Sequence, residues 1–447
     1  MAKSKSQKKV LIIDVALMVV IAAVLGVSMM FIERVELALG LRYEQAVRVP
    51  DDDGSADYTD ALKVHFVDVG QGDCTLVELP DGKTMIIDGG DADSEVSSAI
   101  LTYIDDNFPQ DFKYFDYAIL THPDSDHCGS LDDVLNTYPA RVSYRPNVEA
   151  VGTAKNPVTD PGKADLTANA VTKDTAAYAN AIVAMYNDSA DFTPVVHVTD
   201  PADETQTISG GSAYEYTLTF YSPLSEKYTD WNNYSPVMIL EYKDVRFALS
   251  GDAEKKNEEE FVAKVASART DGVTDKYDAF TDDYTVHVIK AGHHGSRTST
   301  SQAYIDAITT PEGARSAYYV ISCGEGNKYG HPHSETLDRL ESMGVPDGNV
   351  LRTDTGGDFM LNVRRDGEAF KLFCNGFKTE YVTAYKSIAG VRLTWPIVAW
   401  TVYAVIVVAL IVHIAVYALG VKSASNGGEN SGTGSGKKKS SGKRSKK

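Results

Sequence analysis

Residues 120–129 read LTHPDSDHCG, and this stretch decides the fold. It completes an apolar run, residues 117–120, that predicts a buried strand. Within six positions it supplies four side chains that bind divalent metals: His122, Asp124, Asp126 and His127. Imidazole nitrogens together with carboxylate oxygens suit Zn²⁺ or Mn²⁺. A polar turn with two incidental histidines is the competing interpretation, and the residues that accompany the stretch elsewhere decide against it.

Metal-binding side chains also follow three other predicted strands. These strands span residues 84–88, 245–249 and 286–290, and the side chains at or after their ends are Asp88, Asp252, His293 and His294. A single aspartate at a strand end is more often a turn former. All of these side chains in one order, each after an apolar strand, favour a shared metal site at one edge of the fold.

Two long apolar runs lie near the ends of the chain. Residues 10–32 contain one charge, Asp14, and residues 393–421 contain no Asp, Glu, Lys or Arg. Both are long enough to cross a hydrocarbon layer of about 30 Å as helices. The first run is longer than the apolar core of a secretory signal and lacks a clear cleavage site, so we predict an anchor rather than a cleaved peptide.

Charge predicts the orientation of these runs. Residues 1–9 carry four lysines and residues 422–447 carry eight basic side chains, which places both termini in the cytoplasm and residues 33–392 outside the cell. The whole chain has 43 basic and 62 acidic residues, a net charge of −19. The outer segment alone has 31 basic and 60 acidic residues, so its surface repels polyanions except where a local site compensates.

The chain therefore divides into seven predicted segments. They are a basic cytoplasmic N-terminus (1–9), a transmembrane helix (10–32), an acidic linker (33–61), a catalytic domain (62–375) with an insertion at about 145–205, a linker (376–392), a transmembrane helix (393–421) and a disordered basic cytoplasmic tail (422–447). In the domain, hairpin strands come first and strands alternating with helices follow, which predicts a layered α/β fold of two packed sheets with helices outside.

Seven motifs make the chain resemble the metallo-β-lactamase superfamily, and more narrowly the metallohydrolase domain of ComEC-type competence proteins. They are DVGQGD (68–73), IDGG (87–90), THPDSDH (121–127), SGD (250–252), KAGHHGS (290–296), NKYGHP (327–332) and RTD (352–354). The resemblance covers residues 62–373. It implies an αββα four-layer sandwich that binds one or two divalent ions, Zn or Mn.

The resemblance also implies roles for individual residues. The metal ligands would be His122, Asp124, Asp126, His127, Asp252 and His293; the catalytic residues Asp126, His294 and Lys290; and the substrate contacts Ser296, Asn327, Tyr329 and His331. Which of His293 and His294 binds metal stays open. Asp124 replaces the second histidine of most superfamily members, and the third-motif histidine is missing unless His197 supplies it. The site at His122 and Asp124 would therefore be the weaker one.

The implied function is a membrane-anchored extracellular phosphodiesterase that uses a metal-activated water, with DNA as the substrate. The acidic exterior leaves alternatives open. One is hydrolysis of cell-wall phosphodiesters of the teichoic-acid type, and another is lactone or amide hydrolysis. A third is a non-catalytic scaffold module in DNA uptake or envelope assembly. The four cysteines allow three disulfide pairings or small buried thiols.

Overall fold

The computed structural model describes residues 57–385, apart from residues 200–206, 211–214, 226, 272–274 and 367. It also describes residues 42–50, 387–388 and 391–392 and the single positions 20, 401, 406 and 408. Among these residues no helix has both the length and the apolar character that a membrane crossing requires. The predicted membrane segments, 10–32 and 393–421, lie outside the described residues except for those four positions.

The chain forms two compact units, residues 48–378 and residues 1–47 with 379–447. Its strands are β1 (Arg42–Pro50), β2 (Leu62–Phe66), β3 (Thr75–Glu78), β4 (Thr84–Ile87), β5 (Phe115–Ile119), β6 (Ala140–Pro146), β7 (Val148–Ala150), β8 (Val171–Lys173), β9 (Val195–Thr199), β10 (Thr207–Ser209), β11 (Tyr216–Phe220), β12 (Met238–Tyr242), β13 (Val245–Leu249), β14 (Val288–Lys290), β15 (Tyr318–Ile321), β16 (Val350–Arg352), β17 (Phe359–Asp366), β18 (Ala369–Tyr385), β19 (Ser387–Ile388) and β20 (Val391–Arg392).

Two large sheets contain most of these strands. The first has the order β1-β18-β17-β2-β3-β4-β5-β6-β9, and the second β10-β11-β12-β13-β14-β15-β16. Strands β4, β5, β6 and β9 run parallel to one another, and so do β13, β14, β15 and β16. The loops after these parallel strands leave from the carboxyl edge of each sheet, where ligand sites of α/β folds are found.

Nine α-helices are described. They are α1 (Ser94–Asn107), α2 (Ser125–Cys128), α3 (Leu131–Thr137), α4 (Ala176–Met185), α5 (Lys255–Asp271), α6 (Gln302–Ile308), α7 (Pro311–Ser316), α8 (Ser334–Ser342) and α9 (Thr353–Gly356). Helix α1 begins at Ser94 because the Asp93 carboxylate caps it, accepting a hydrogen bond of 2.8 Å from the backbone N–H of Glu95.

Alternation along the strands sorts most of the buried side chains into three large cores. Leu62, Val64 and Phe66 on β2 point into the core between the two sheets. On β4, Met85 and Ile87 point there too, whereas Ile86 points to the outer face. Helices α1, α3 and α4 cover the outer face of the first sheet, and α5, α6 and α8 cover that of the second. The predicted layered α/β fold of two packed sheets with helices outside is confirmed.

The segment 145–205 contributes to both the sheet and the outer core. Strand β9 pairs parallel with β6, and α4 packs against the first sheet, while β7 and β8 form a separate two-stranded sheet. A buried ion pair ties β7 down. Arg145 makes two hydrogen bonds of 2.7 Å to the Asp160 carboxylate, which also accepts from the Ala150 N–H.

Removing the Arg145–Asp160 ion pair tests how much it contributes to the stability of the fold. Asp160→Asn leaves a fully buried guanidinium without its counter-charge, so we expect the free energy of unfolding to fall by about 3–5 kcal/mol. Urea denaturation measures the change. Glu149→Gln is the control: it removes a pair with the largely exposed Lys163 and should cost about 1 kcal/mol at most. An equal loss of unfolding free energy in the two variants would contradict a larger contribution from the buried pair.

Candidate metal centre

Four buried side chains meet where the carboxyl edges of the two sheets face each other. Asp73, His127, Asp252 and His294 each present a ligand atom, and these atoms all lie within 4.8 Å of one another. His127 follows β5, Asp252 follows β13, and His294 follows β14. Each sheet thus supplies part of the cluster.

The Asp88 carboxylate orients His127. It lies 2.7 Å from His127 Nδ1 and also accepts the N–H and hydroxyl of Thr121, at 2.8 and 2.7 Å. An ionised carboxylate only accepts hydrogen bonds, so His127 Nδ1 carries a hydrogen. Nε2 then points into the cluster and, when the ring is neutral, offers its lone pair there, as in the carboxylate–histidine pairs that support metal ligands.

His294 is oriented in the same sense by a backbone carbonyl. Its Nδ1 lies 2.9 Å from Ser322 O and therefore donates a hydrogen. Its Nε2 faces Asp126 Oδ2 and Asp252 Oδ2, each at 3.3 Å. The backbone of His293 and His294 is left-handed, with φ of 48° and 55°, and such strained conformations concentrate at functional sites.

When both imidazoles are neutral, the atoms at the centre are all acceptors. His127 Nε2 lies 3.3 Å from His294 Nε2 and 3.2 Å from Asp252 Oδ1. Bonds of 2.0–2.1 Å to a tetrahedral ion separate its ligands by about 3.3–3.4 Å. The donor set and its spacing fit a divalent ion of the zinc type, held by His127, His294, Asp252 and Asp126.

Electrostatics agree that this cluster attracts positive charge. Burial would lower the pKa of His127, but the carboxylates of Asp252, Asp88 and Asp73 outweigh burial and raise it well above its usual range. The pKa of His294 is raised in the same way, by Asp252 and Asp73 against the effect of burial. Burial raises the pKa of Asp252, but the surrounding histidines hold it well below its usual range.

Asp73 lies on the outer side of the two histidines. Its Oδ1 is 3.3 Å from His294 Nδ1, the nitrogen that carries a hydrogen, and its Oδ2 is 2.5 Å from Lys290 Nζ. We therefore assign Asp73 to orienting His294 rather than to the ion itself. Lys290 is 3% exposed, is engaged by this carboxylate and does not line the cavity.

A close backbone approach brings Asp73 into place. Gly72 has φ of +147°, and a Cβ on it would lie 2.4 Å from Asp126 O. Only glycine permits this contact, which lets the Asp73 N–H donate to Asp126 O at 3.0 Å. The sequence GQGD at 70–73 thus docks the turn after β2 onto the metal-binding loop.

His122 and Asp124 form a wider arm beside the cluster. His122 is fully buried, and its Nε2 lies 3.8 Å from Asp124 Oδ2 and 4.0 Å from Asp252 Oδ2 without a hydrogen-bond partner. Asp124 Oδ1 lies 2.6 Å from Lys173 Nζ. A second ion here would take His122, Asp124 and a shared Asp252, with longer separations than in the first cluster.

His293 stands outside the central cluster. Its Nδ1 lies 3.0 Å from Glu254 Oε1, and its Nε2 is 3.9 Å from Asp252 Oδ2. The structure thus brings His294 rather than His293 to the centre. The assignment of one histidine to metal and the other to proton transfer was the part of the site that the sequence left open.

A cavity of 330 Å³ opens beside the cluster. Tyr329 and His331, predicted to contact substrate, line it together with His293, Asp126 and Asp124. The other two predicted contacts do not line it. Asn327 braces its own loop by donating to Gly324 O and His331 O, and the Ser296 hydroxyl lies 2.9 Å from that of Thr298.

The sequence gave no site role to three residues that the geometry places around the centre: Asp73, Glu254 and Lys173. Asp88 was expected at the metal site, and the geometry gives it the role of orienting His127. Asp73 carried a signal, since it lies in a glycine-containing motif next to a strand. Glu254 and Lys173 carried none, because an acidic helix start and a lysine in a polar segment are common on any surface.

A family model described as the metallo-beta-lactamase superfamily matches residues 67–204, the part of the chain that carries the first cluster residues. Residues 67–204 are therefore similar to this superfamily. Its matched region includes Asp73, Asp88, His122 and His127, and the described α/β fold agrees with it.

Three curated proteins show distant homology. The chain is 25% identical over 325 residues to ComE operon protein 3 of Bacillus subtilis (strain 168), covering 70% of this chain and 34% of that protein. It is 26% identical to recombination protein 2 of Haemophilus influenzae, covering 73% and 32%. It is 29% identical to competence protein ComA of Neisseria gonorrhoeae, covering 33% and 18%. The chain thus spans about a third or less of the length of these relatives.

Substitution of one central histidine tests the metal centre. His294→Gln removes a ligand, so the purified protein should retain at least about tenfold less Zn²⁺ or Mn²⁺ after dialysis, measured by elemental analysis. His287→Gln is the matched control: this partly buried histidine lies just before β14 and accepts from the Arg246 N–H, away from the cavity. Equal metal content in both variants would contradict the site.

Metal removal should also lower stability. An ion that binds only the folded state at 100 times its dissociation constant adds about 2.7 kcal/mol. We therefore expect chelation to lower the melting temperature of the wild type and readdition of metal to restore it, measured by calorimetry. The same treatment should leave the melting temperature of His294→Gln nearly unchanged. A shift as large in the variant would place the stabilising ion elsewhere.

Proposed function

We propose that the protein is a metal-dependent phosphodiesterase that acts on DNA. The observation that carries this proposal is the set of nitrogen and carboxylate atoms on His127, His294, Asp252 and Asp126, which converge beside an open cavity. A divalent ion bound there supplies an activated nucleophile and positive charge for a phosphoryl transition state. The fold and the names of the relatives then narrow the choice of substrate.

Residues of this chain would orient and protonate the substrate. His293 faces the cavity and is held by Glu254, so we assign it to proton donation to the leaving oxygen and give His294 to the ion. Burial lowers the pKa of His293, but Asp252 and Glu254 outweigh burial and raise it. Tyr329, with half of its surface exposed, and His331 would contact the substrate at the cavity rim.

DNA as the substrate is supported by the relatives, whose names are those of competence and recombination proteins. The acidic surface of the chain opposes broad contact with a polyanion. We therefore propose that one strand end or a single-stranded segment enters the cavity, where the ion and Lys173 supply the positive charge. Binding of this kind would involve few phosphates and a weak dependence on salt.

Localisation follows from the apolar runs at 10–32 and 393–421 and their basic flanks. We propose that both runs anchor the protein in the cell membrane, with both termini in the cytoplasm and the catalytic domain outside. Extracellular DNA would then be the accessible substrate.

A cell-wall phosphodiester of the teichoic-acid type is the second candidate. The observation that favours it is the net charge of the outer segment, 31 basic against 60 acidic residues. A small diester at the cavity would avoid the repulsion that a long polyanion meets across the acidic surface.

Turnover by the full-length protein separates these functions. We expect Mn²⁺- or Zn²⁺-dependent cleavage of single-stranded DNA and of bis(p-nitrophenyl) phosphate. Asp252→Asn should lower both rates by about 1000-fold, since a bound ion contributes several kcal/mol to transition-state stabilisation. Glu241→Gln is the control, because Glu241 pairs with Arg246 on β12 and β13 and does not line the cavity.

Three outcomes would change the assignment. Cleavage of the small diester alone would favour the cell-wall substrate. Metal binding without turnover of either compound would favour a scaffold role. DNA cleavage that persists in Asp252→Asn would show that a contaminating nuclease or another site is responsible.

A further inference from the structure

Lys173 enters the metal centre from the segment that follows β6. It ends β8, and its ammonium lies 2.6 Å from Asp124 Oδ1. Its side chain is only 12% exposed, and it lines the same cavity as Asp126 and His293. A lysine in this position is thus part of the site rather than a solvated surface charge.

Two further contacts hold Lys173 there. Its ammonium lies 4.7 Å from the ring centroid of Trp231, an attraction that strengthens as water is excluded. Strand β8 pairs with β7, which the buried Arg145–Asp160 pair ties down through the Val148 carbonyl and the Ala150 N–H. The Trp231 ring and the pairing of β8 with β7 therefore both hold the ammonium in position.

The arm that Lys173 contacts is the one with incomplete ligands. His122 Nε2 is buried without a partner, and its nearest carboxylate oxygens are 3.8 and 4.0 Å away. In the central cluster the corresponding separations are 3.2–3.3 Å. A second ion would have to draw these groups together and displace the ammonium from Asp124.

We propose that Lys173 is the resident cation of the His122–Asp124 arm and keeps the protein a one-ion enzyme. The ammonium neutralises Asp124 and repels a divalent cation a few ångströms away. Unlike a metal ion, the ammonium adds positive charge to the cavity but has no coordination position for water. This inference rests on the metal centre of the proposed function and defines how many ions that centre holds.

Manganese titration of the full-length protein tests the proposal. We expect the wild type to bind one Mn²⁺ tightly, with an electron paramagnetic resonance spectrum that lacks Mn–Mn coupling. Lys173→Met keeps the aliphatic stem and removes the charge, so a second Mn²⁺ should bind at least about tenfold more tightly than it does to the wild type. The coupled signal of two adjacent ions should appear with it.

Three further variants make the assignment specific. Lys173→Arg keeps the charge and should still bind one ion. Lys163→Met removes an exposed lysine of the same segment and should also bind one ion. The second ion gained by Lys173→Met should be lost again when Asp124→Asn is added, since that ion depends on the freed carboxylate. Melting temperatures confirm that each variant is folded.

The outcomes that overturn the proposal differ from those that overturn the function. Two ions of similar affinity in the wild type, or one ion in folded Lys173→Met, would overturn the role of Lys173 and leave the metal centre intact. No tightly bound ion in the wild type would overturn both the metal centre and this inference.

Discussion

The Asp88 carboxylate is the constraint on which the rest of the site depends. One oxygen accepts the Thr121 N–H, and the other accepts the Thr121 hydroxyl and the Nδ1–H of His127. These bonds join the ends of β4 and β5, adjacent parallel strands of the first sheet. Because they fix the tautomer of His127, its Nε2 lone pair is directed at Asp252 and His294 of the second sheet. The two sheets therefore meet around imidazole nitrogens and carboxylate oxygens that are all acceptors when the rings are neutral.

Converging acceptors in a buried place require compensating positive charge, since isolated buried carboxylates are costly. Two lysines supply this positive charge to two of the carboxylates. Lys290 compensates Asp73 behind the histidines, and Lys173 compensates Asp124 at the cavity rim. The central oxygens of Asp252 and Asp126 lie beside the imidazoles of His127 and His294, which is where an ion fits. The placement of the two lysines thus separates the carboxylates that are paired with a cation from those that we propose as metal ligands.

Sequence reasoning predicted the fold well because the strands carry a strong periodic signal. The alternating residues of β2 and the apolar β4 and β13 are readable locally, and each is followed by its aspartate. The site was predicted less completely. His293 and His294 are neighbours in one motif, and only the left-handed turn at these residues directs one to the centre and the other to Glu254. Backbone conformation of that kind has no signature in the residue types alone.

The sequence by itself determined the layered fold, the resemblance to a family and most of the candidate metal ligands, because these depend on periodicity and on short motifs after strands. Only the tertiary structure decided which of these side chains converge and which neutralise one another. Lys173 lies 49 residues from Asp124 along the chain and reaches it through β8 and the anchored β7. Asp73 and Lys290 lie even farther apart along the chain, although their side chains are in contact. Charge pairing between residues this far apart in the sequence depends on how the sheets pack, and packing is a property of the whole folded chain.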